Sequence, residues 1–196
     1  MHAIFVLAML FTTGAPAMLD RLNTSIEQFY NTSEPIWTYR TRADSRSNIS
    51  CLVDVAVNTT LTYLYFDRSS YLNKTRLKKA LKMYLYNGRT GNTSRTLVYE
   101  AEPPIYEQKN PLFEEQLLYQ SGDSSCGVFR YFKHPNVNRY DLRVRNCSLA
   151  TGPDTDCWLY FNKTADFRIS KYERLKERKV YDSKCQAILW TTDGCQ

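Results

Sequence analysis

Histidine is scarce in this chain of 196 residues, which contains only His2 and His134. No Gly-x-Ser-x-Gly sequence and no phosphate-binding loop occurs, so the usual parts of a hydrolase or a nucleotide-dependent enzyme are missing. None of the cysteine spacings resembles a zinc pair, and there is too little histidine to complete one. We therefore expect a protein that is not an enzyme and that holds no metal ion or cofactor.

The chain also lacks an apolar run long enough to cross a bilayer. Residues 4–11 form an apolar run that is too short to span. Ala15-Pro16-Ala17 then supplies the small residues that a signal peptidase requires. We expect residues 1–17 to be a secretory signal peptide and residues 18–196 to form one mature, extracellular domain. A buried N-terminal helix is the alternative.

Six cysteines and eight N-x-S/T sequons agree with export. An even number of cysteines in a secreted chain predicts three disulfides, although the spacing alone leaves their connectivity open. The sequons are more numerous than this composition gives by chance. Glycosylation is expected at Asn23, Asn31, Asn48, Asn58, Asn73, Asn92 and Asn162. The eighth sequon, at Asn146, can be blocked by Cys147.

Short strand-like segments follow one another at a spacing of roughly ten residues, with turn residues between most of them. The predicted strands are 36–42, 49–57, 61–67, 77–86, 95–100, 116–120, 126–133 and 138–146. This spacing is typical of an antiparallel meander, either a sandwich or a barrel. A short helix is predicted over 19–30, a second helix carries Trp158 and Phe161, and 179–185 is predicted to be a final extended piece.

The last predicted strand, NRYDLRVRN at residues 138–146, has two very different faces. Tyr140, Leu142 and Val144 alternate with charged residues that include Asp141 and Arg143. Alternation alone favours the apolar face in the core and the charges in water. The alternative is that the charges point into a polar cavity while the apolar face lies under the helix that follows.

Several short motifs occur in a characteristic order. They are Glu34-Pro35-Ile36-Trp37 ahead of Cys51, the run KMYLYN at residues 82–87, Cys126-Gly127-Val128, Asp141-Leu142-Arg143, and Cys157. Together with the signal segment and the cysteines, this pattern resembles the tick salivary lipocalins, also called the histamine-binding protein family. The resemblance covers nearly the whole mature chain.

The resemblance implies a mainly β fold: an eight-stranded antiparallel lipocalin barrel with a short N-terminal helix and a C-terminal helix packed outside. It also implies disulfides Cys51–Cys185 and Cys126–Cys157, which leave Cys147–Cys195 as the third. The implied function is secretion into saliva and sequestration of a small mediator of host inflammation. The corresponding acid in the family points into the barrel, so Asp141 is expected to face inward, against the alternation argument.

Two ligand hypotheses follow from this resemblance and from the departures from it. In the first, a biogenic amine such as histamine or serotonin is held by Glu34, Trp37, Tyr99 and Asp141. The chain departs from the family at three positions, because Arg76 and Gly127 replace acids and Arg143 replaces a tryptophan. In the second hypothesis, which follows from these departures, Arg76 or Arg143 binds the carboxylate of an acidic lipid mediator such as a leukotriene.

A third possibility is that the outer surface binds a host protein, such as a complement component. The basic stretches 76–82 and 171–179 are the candidate surfaces, although a solvated face explains them as well. The net charge of +6 is compatible with anionic partners. Nucleic-acid binding is not expected of a secreted chain, and we expect a monomer.

Overall fold

A computed structural model describes residues 24–43, 48–85, 94–102, 110–133, 137–166 and 175–189. The predicted signal peptide, the sequons at Asn23 and Asn92, Cys195 and residues 171–174 of the second basic stretch lie outside these residues. The sequence predicts the first helix over 19–30. Within the described part of the chain it is α1, Ile26–Tyr30, and Ser25 caps it by accepting a hydrogen bond from the backbone N–H of Gln28.

The described strands form one antiparallel sheet. They are β1 (Ile36–Ala43), β2 (Ile49–Thr59), β3 (Tyr63–Leu72), β4 (Thr75–Tyr84), β5 (Arg95–Glu100), β6 (Phe113–Gln120), β7 (Cys126–Lys133), β8 (Val137–Arg145) and β9 (Lys176–Lys179). Strands β2 to β8 are paired in order, β8 pairs with β1, and β1 also pairs with β2, which closes an eight-stranded barrel. β9 pairs with the last four residues of β1, Arg40–Ala43.

One end of the barrel is closed and the other is open. The α1 helix closes the end at which β1 begins, and its buried residues Ile26, Phe29 and Tyr30 enter the apolar cluster of the barrel interior. Gly127 is needed here because a Cβ atom at this position would lie 2.9 Å from the ring of Phe29. The open end is the end at which β2 begins and the β3–β4 turn lies.

The C-terminal third packs on the outer surface of the barrel. Helix α2 (Thr155–Lys163) begins after Asp154, which caps it, and Cys157 of this helix forms a disulfide with Cys126 of β7. A 3-10 segment, Ser183–Ile188, is tied to β2 by the Cys51–Cys185 disulfide. These two disulfide predictions are confirmed. Cys147 is also disulfide-bonded, and the predicted Cys147–Cys195 pair extends outside the described residues.

The packing of α2 assigns the two faces of β8. Leu142 and Val144 are fully buried and pack with Cys157 and Phe161 of α2, so the apolar face of β8 points outward under the helix. Asp141 and Arg143 are 0% and 1% exposed and belong to the barrel interior. The expectation from alternation alone, with the charges in water, is therefore wrong, and the inward orientation implied by the family resemblance is right.

Most predicted strands are present with shifted ends. Strands predicted at 61–67 and 116–120 are longer, since β3 extends to Leu72 and β6 begins at Phe113. The last predicted piece is wrong: residues 179–185 are not one extended segment. Lys179 ends β9, and Cys185 lies in the 3-10 segment that Asp182 caps. Capping and the disulfide, rather than strand pairing, determine the backbone there.

Candidate ligand-binding cavity

A cavity of about 230 Å³ lies inside the open half of the barrel. Its lining residues come from six strands and from the segment before β6. They are Ile49, Leu52, Arg68, Ser70, Leu77, Lys79, Leu81, Leu112, Phe113, Tyr131, Lys133 and Arg139. The volume is below the ~300–1,000 Å³ that is usual for pockets enclosing a drug-sized ligand. It suits a small molecule or one end of a longer one.

The cavity is apolar on its walls and at its rim. Leu52, Phe113 and Tyr131 supply wall surface. At the open end, Leu72 and Leu77 are each 39% exposed, and Leu72 is paired across the sheet with Ile49. Apolar side chains left in water at the mouth of a barrel favour contact with an apolar part of a ligand.

Every charged side chain in the cavity lining is basic. Arg68 and Arg139 are largely buried, whereas Lys79, in the middle of β4, and Lys133, at the end of β7, are exposed. Lys79 comes within 3.7 Å of Glu100, an ion pair whose side chains are 60% and 48% exposed. Such an exposed pair is weak, so the ammonium group of Lys79 can also engage a ligand.

A layer of buried ion pairs forms the floor of the cavity. Glu115, which is fully buried, accepts hydrogen bonds from Arg143 at 2.6 and 2.9 Å and from Arg68 at 2.9 Å. Arg68 also donates two hydrogen bonds to Asp54, at 2.6 and 2.7 Å. Bidentate pairs of this kind satisfy the buried charges that would otherwise be costly.

Tyr30 joins this floor to the closed end of the barrel. Its hydroxyl donates to Asp54 at 2.7 Å and accepts from Arg143 at 2.7 Å. Burial raises the pKa of Tyr30 well above its usual value, so the phenol keeps the proton that it donates. Beneath it, the guanidinium of Arg143 lies 4.2 Å from the ring of Phe129. The floor is therefore sealed against the apolar cluster under it.

Asp141 holds a second arginine in the cavity wall. Its carboxylate accepts from Arg139 at 2.9 and 3.0 Å and from the hydroxyl of Thr41 at 2.7 Å. Arg143 lies 3.5 Å from the same carboxylate. The guanidinium of Arg139 also lies 4.3 Å from the ring of Tyr131, which lines the cavity. Asp141 thus positions Arg139, and its carboxylate is already engaged by protein groups.

Every acid of this floor is paired with an arginine. Three carboxylates, Asp54, Glu115 and Asp141, face the three guanidinium groups of Arg68, Arg139 and Arg143. Burial would raise the pKa of Glu115, but Arg143 and Arg68 outweigh burial and lower it to about 2. Burial alone would lower the pKa of Arg143, but the negative charge of Glu115 outweighs burial, and the pKa of Arg143 is raised. A ligand cation would have to displace an arginine from each acid.

The structure disperses the residues of the first ligand hypothesis. Glu34 accepts a hydrogen bond from the backbone N–H of Cys147, at the closed end. Trp37 is buried on the outer face of β1, where it packs with the Cys51–Cys185 disulfide and donates to Asn146. Tyr99 follows inward-facing Val98 and lies on the outer face of β5. Of the four, only Asp141 lies in the barrel interior.

The two arginines of the second hypothesis also lie outside the cavity lining. Arg76 donates to the backbone oxygen of Ile188 at 2.6 Å, on the outer surface of the barrel. Arg143 is inside, but its guanidinium is occupied by Glu115, Tyr30 and Asp54. The basic groups that do line the cavity are Arg68, Lys79, Lys133 and Arg139, none of which the sequence motifs indicated.

Two further properties concern the described residues only. Among them, no group of three His, Cys, Asp or Glu side chains could hold a metal ion. None of the helices in the described ranges has the length and the apolar character needed to cross a membrane.

The chain is similar to known proteins in its three-dimensional structure. No family model matches the chain, and no curated protein matches it in sequence. The fold is similar to that of AM182 in a serotonin complex, with a TM-score of 0.53 and 15% identity over 78% of this chain and 85% of AM182. Japanin from Rhipicephalus appendiculatus, bound to cholesterol, has a TM-score of 0.48 and 12% identity over 79% of this chain and 96% of Japanin.

The siderocalin Ex-FABP, described as having dual ligand specificities, has a TM-score of 0.47 and 9% identity over 68% of this chain and 83% of its own. At such identities the likeness to AM182 shows the fold alone. The closed eight-stranded barrel with an outer C-terminal helix is a lipocalin fold. The likeness in fold to AM182 agrees with the lipocalin barrel that the sequence motifs indicated.

Proposed function

We propose that this chain is a secreted salivary lipocalin, related to those of ticks, that sequesters a small acidic amphiphile such as an eicosanoid mediator of host inflammation. One observation carries the proposal: of the twelve described residues that line the cavity, four are basic, none is acidic, and most of the rest are apolar. An acidic head and an apolar body are the two features that such a lining complements.

The two lysines are the groups best placed to hold the acid. Lys79 and Lys133 are both exposed, so their ammonium groups can bind a carboxylate without breaking a buried ion pair. Arg139, which is buried and positioned by Asp141, adds positive potential to the cavity wall. The apolar part of the ligand would contact Leu52, Phe113 and Tyr131. Charge-assisted hydrogen bonds are the stronger class, and water exclusion by the walls strengthens them further.

The amine hypothesis is the alternative. Its support is the sequence resemblance and the serotonin complex of the similar protein AM182. The geometry favours it less, because the acids of the floor are already paired with arginines and the lining is basic. Bringing an ammonium group into this cavity would place it among like charges, which is unfavourable.

The proposal includes the cellular setting. Residues 1–17 would direct secretion, sugars would occupy the accessible sequons, and the mature monomer would act by stoichiometric capture rather than turnover. Two disulfides bonded within the described residues fit an oxidising, extracellular environment. Abundance and affinity would then determine how much of the mediator is removed.

The test is calorimetric titration of the oxidised protein with four compounds: arachidonic acid, its methyl ester, serotonin and histamine. Arachidonic acid should bind, and the methyl ester, which lacks the charge, should bind about tenfold more weakly. The variant K79Q/K133Q should lose about five- to tenfold in affinity for the acid. K78Q is the matched control, because Lys78 is the adjacent residue of β4 and pairs with Asp67 on the outer face.

Each outcome separates the hypotheses. Amine binding without acid binding would overturn the proposal and support the amine hypothesis, and would require the floor to rearrange around Asp141. Equal affinity for the acid and its methyl ester would show that the basic lining does not recognise the ligand. No binding of any of the four would direct the search to the outer surface and to host proteins.

A further inference from the structure

Two of the sequons lie side by side at the mouth of the cavity. Asn48 immediately precedes Ile49, a lining residue, and Asn73 lies in the tight turn between β3 and β4, next to Leu72. The side-chain amide of Asn48 donates to the side-chain oxygen of Asn73 at 2.6 Å. The strand register, which pairs Ile49 with Leu72, brings these two asparagines together although they are 25 residues apart in the chain.

Both asparagines are presented to solvent by their local structure. Asn73 and Lys74 have positive φ angles of 50° and 68°, which is the left-handed conformation that two-residue hairpin turns require and that asparagine tolerates. Asn48, Ser50, Asn73 and Thr75 are all exposed, so the asparagine and the hydroxyl residue of each sequon are accessible. By contrast, the side-chain oxygen of Asn146 already accepts from Trp37 and Gln186.

We infer that Asn48 and Asn73 carry N-linked glycans that stand together at the rim of the cavity and restrict access of ligands to it. Each modification joins Nδ2 of the asparagine to the anomeric carbon of an oligosaccharide, releases the sugar from the pyrophosphate of its lipid donor, and removes one proton from the amide. The presence of the glycans is independent of ligand identity. The restriction of access rests on the proposed function of the same cavity.

The geometry is compatible with both modifications. A glycosylated asparagine keeps one hydrogen on Nδ2, so Asn48 can still donate to Asn73 after it has been modified. The nitrogen of Asn73 is not the atom used in that hydrogen bond and can carry its own sugar. The pair would then fix the first sugar of each chain within a few ångströms of the rim.

The apolar rim supplies a reason for sugars at this position. Leu72 and Leu77 are each 39% exposed beside the two sequons, and Ile49 is partly exposed between them. Exposed apolar rims promote association between copies and adsorption of unrelated apolar molecules. Glycans over this rim would shield the leucines while the cavity beneath them stayed available to a ligand slender enough to pass.

The test begins with protein secreted by eukaryotic cells. Glycopeptide mass spectrometry should find sugar at Asn48 and at Asn73 and none at Asn146. Two variants then remove the rim glycans in different ways. N48Q/N73Q alters the asparagines, whereas S50A/T75A destroys both sequons and keeps the hydrogen bond between the asparagines.

N58Q is the matched control, because Asn58 is an exposed sequon near the other end of β2, ten residues after Asn48 and up to about 30 Å from it, towards the closed end. With a dansyl-labelled undecanoic acid as probe, both rim variants should associate about threefold faster or more, and N58Q should not change. Labelling of Lys79 and Lys133 by a bulky amine reagent should also accelerate in the rim variants, while Lys163 of α2 should react at an unchanged rate.

The two readouts distinguish the failure of this inference from the failure of the proposed function. Unoccupied sequons at both positions would overturn the inference, and so would lysine labelling that is the same with and without rim glycans. Faster lysine labelling without any probe binding would leave the rim glycans established and would overturn the proposed ligand class instead. An equal acceleration of probe association in N58Q would also contradict a specific role for the rim.

Discussion

Glu115 is the residue that holds the floor of the cavity together. It is 0% exposed and bridges Arg68 and Arg143, so each of its oxygens is used. Replacing it with glutamine would leave two buried guanidinium groups with one fewer compensating charge. We expect E115Q to lose about 3–5 kcal/mol in the free energy of unfolding, measured by urea denaturation.

Glu114 provides the control for this substitution. It is the neighbouring residue of β6 and forms an ion pair with Arg95. The Arg95 side chain is 67% exposed, so this pair lies near the surface. E114Q should lose less than about 1 kcal/mol, since ion pairs near the surface contribute little. Similar losses in E114Q and E115Q would show that the buried layer stabilises the fold no more than a surface pair does. Replacing the whole layer with apolar residues is a different experiment, which can even stabilise a protein.

The pH dependence of stability follows from the same residue. The pKa of Glu115 is about 2 in the folded protein, below its ordinary value of 4.5. A lowered folded pKa contributes stability above the unfolded pKa, and this contribution is lost as pH falls from about 5 towards 2. We expect about 3 kcal/mol of unfolding free energy to disappear over this range, on the order given by the shift.

Urea denaturation between pH 7 and pH 2.5 checks this prediction. The variant E115Q has no carboxyl group at this position, so its stability should fall by correspondingly less over the same range. Parallel pH profiles in the two proteins would show that other carboxylates are responsible for acid unfolding.

The sequence could identify some of these interior residues but could not connect them. Asp141 and Arg143 alternate with apolar residues, which shows that they share a face but not which face it is. Glu115 lies on the inner face of β6, and its neighbours Glu114 and Gln116 lie on the outer face. The strand predicted from the sequence begins at Gln116 and therefore does not include Glu115. Its contact with Arg143 has a sequence separation of 28, and no local pattern reports such a pairing.

At the level of elements, helix α2 decides which face of β8 is the inner one. Leu142 is 0% exposed although it points out of the barrel, because α2 covers it. L142A should therefore lose about 2–4 kcal/mol in unfolding free energy, as a core leucine would. L97A is the control, since Leu97 also points outward from its strand but is 37% exposed, and it should lose less than about 1 kcal/mol.

Urea denaturation of both variants checks this assignment. Equal, small losses would mean that α2 does not bury the outer face of β8. Much larger losses in L97A than in L142A would mean that the covering element lies elsewhere on the barrel.

The strands themselves can largely be predicted, because period-two alternation and turn residues are local signals. Their ends are less accurate: Thr75 begins β4 two residues before the predicted start, since the tight Asn73–Lys74 turn directly follows β3. The 3-10 segment at Ser183–Ile188 is not predicted, because its position depends on the disulfide of Cys185 with distant Cys51. Long-range constraints of this kind leave no periodic trace in the sequence.

At the level of the whole molecule, the barrel and its outer segments are joined by covalent bonds as well as by packing. The Cys126–Cys157 disulfide fixes α2 to β7, and Cys51–Cys185 fixes the 3-10 segment over Trp37. The first spans 31 residues of sequence and the second spans 134. In the chain-entropy description, the longer loop restricts the unfolded chain more strongly.

The double variants C51S/C185S and C126S/C157S test this difference. Each should lose several kcal/mol in unfolding free energy, and C51S/C185S should lose about 1 kcal/mol more, because entropy of loop closure grows with the logarithm of loop length. Urea denaturation of the non-reduced variants measures both losses. The reverse order would show that packing of α2 against β8, rather than restriction of the unfolded chain, dominates what the disulfides contribute.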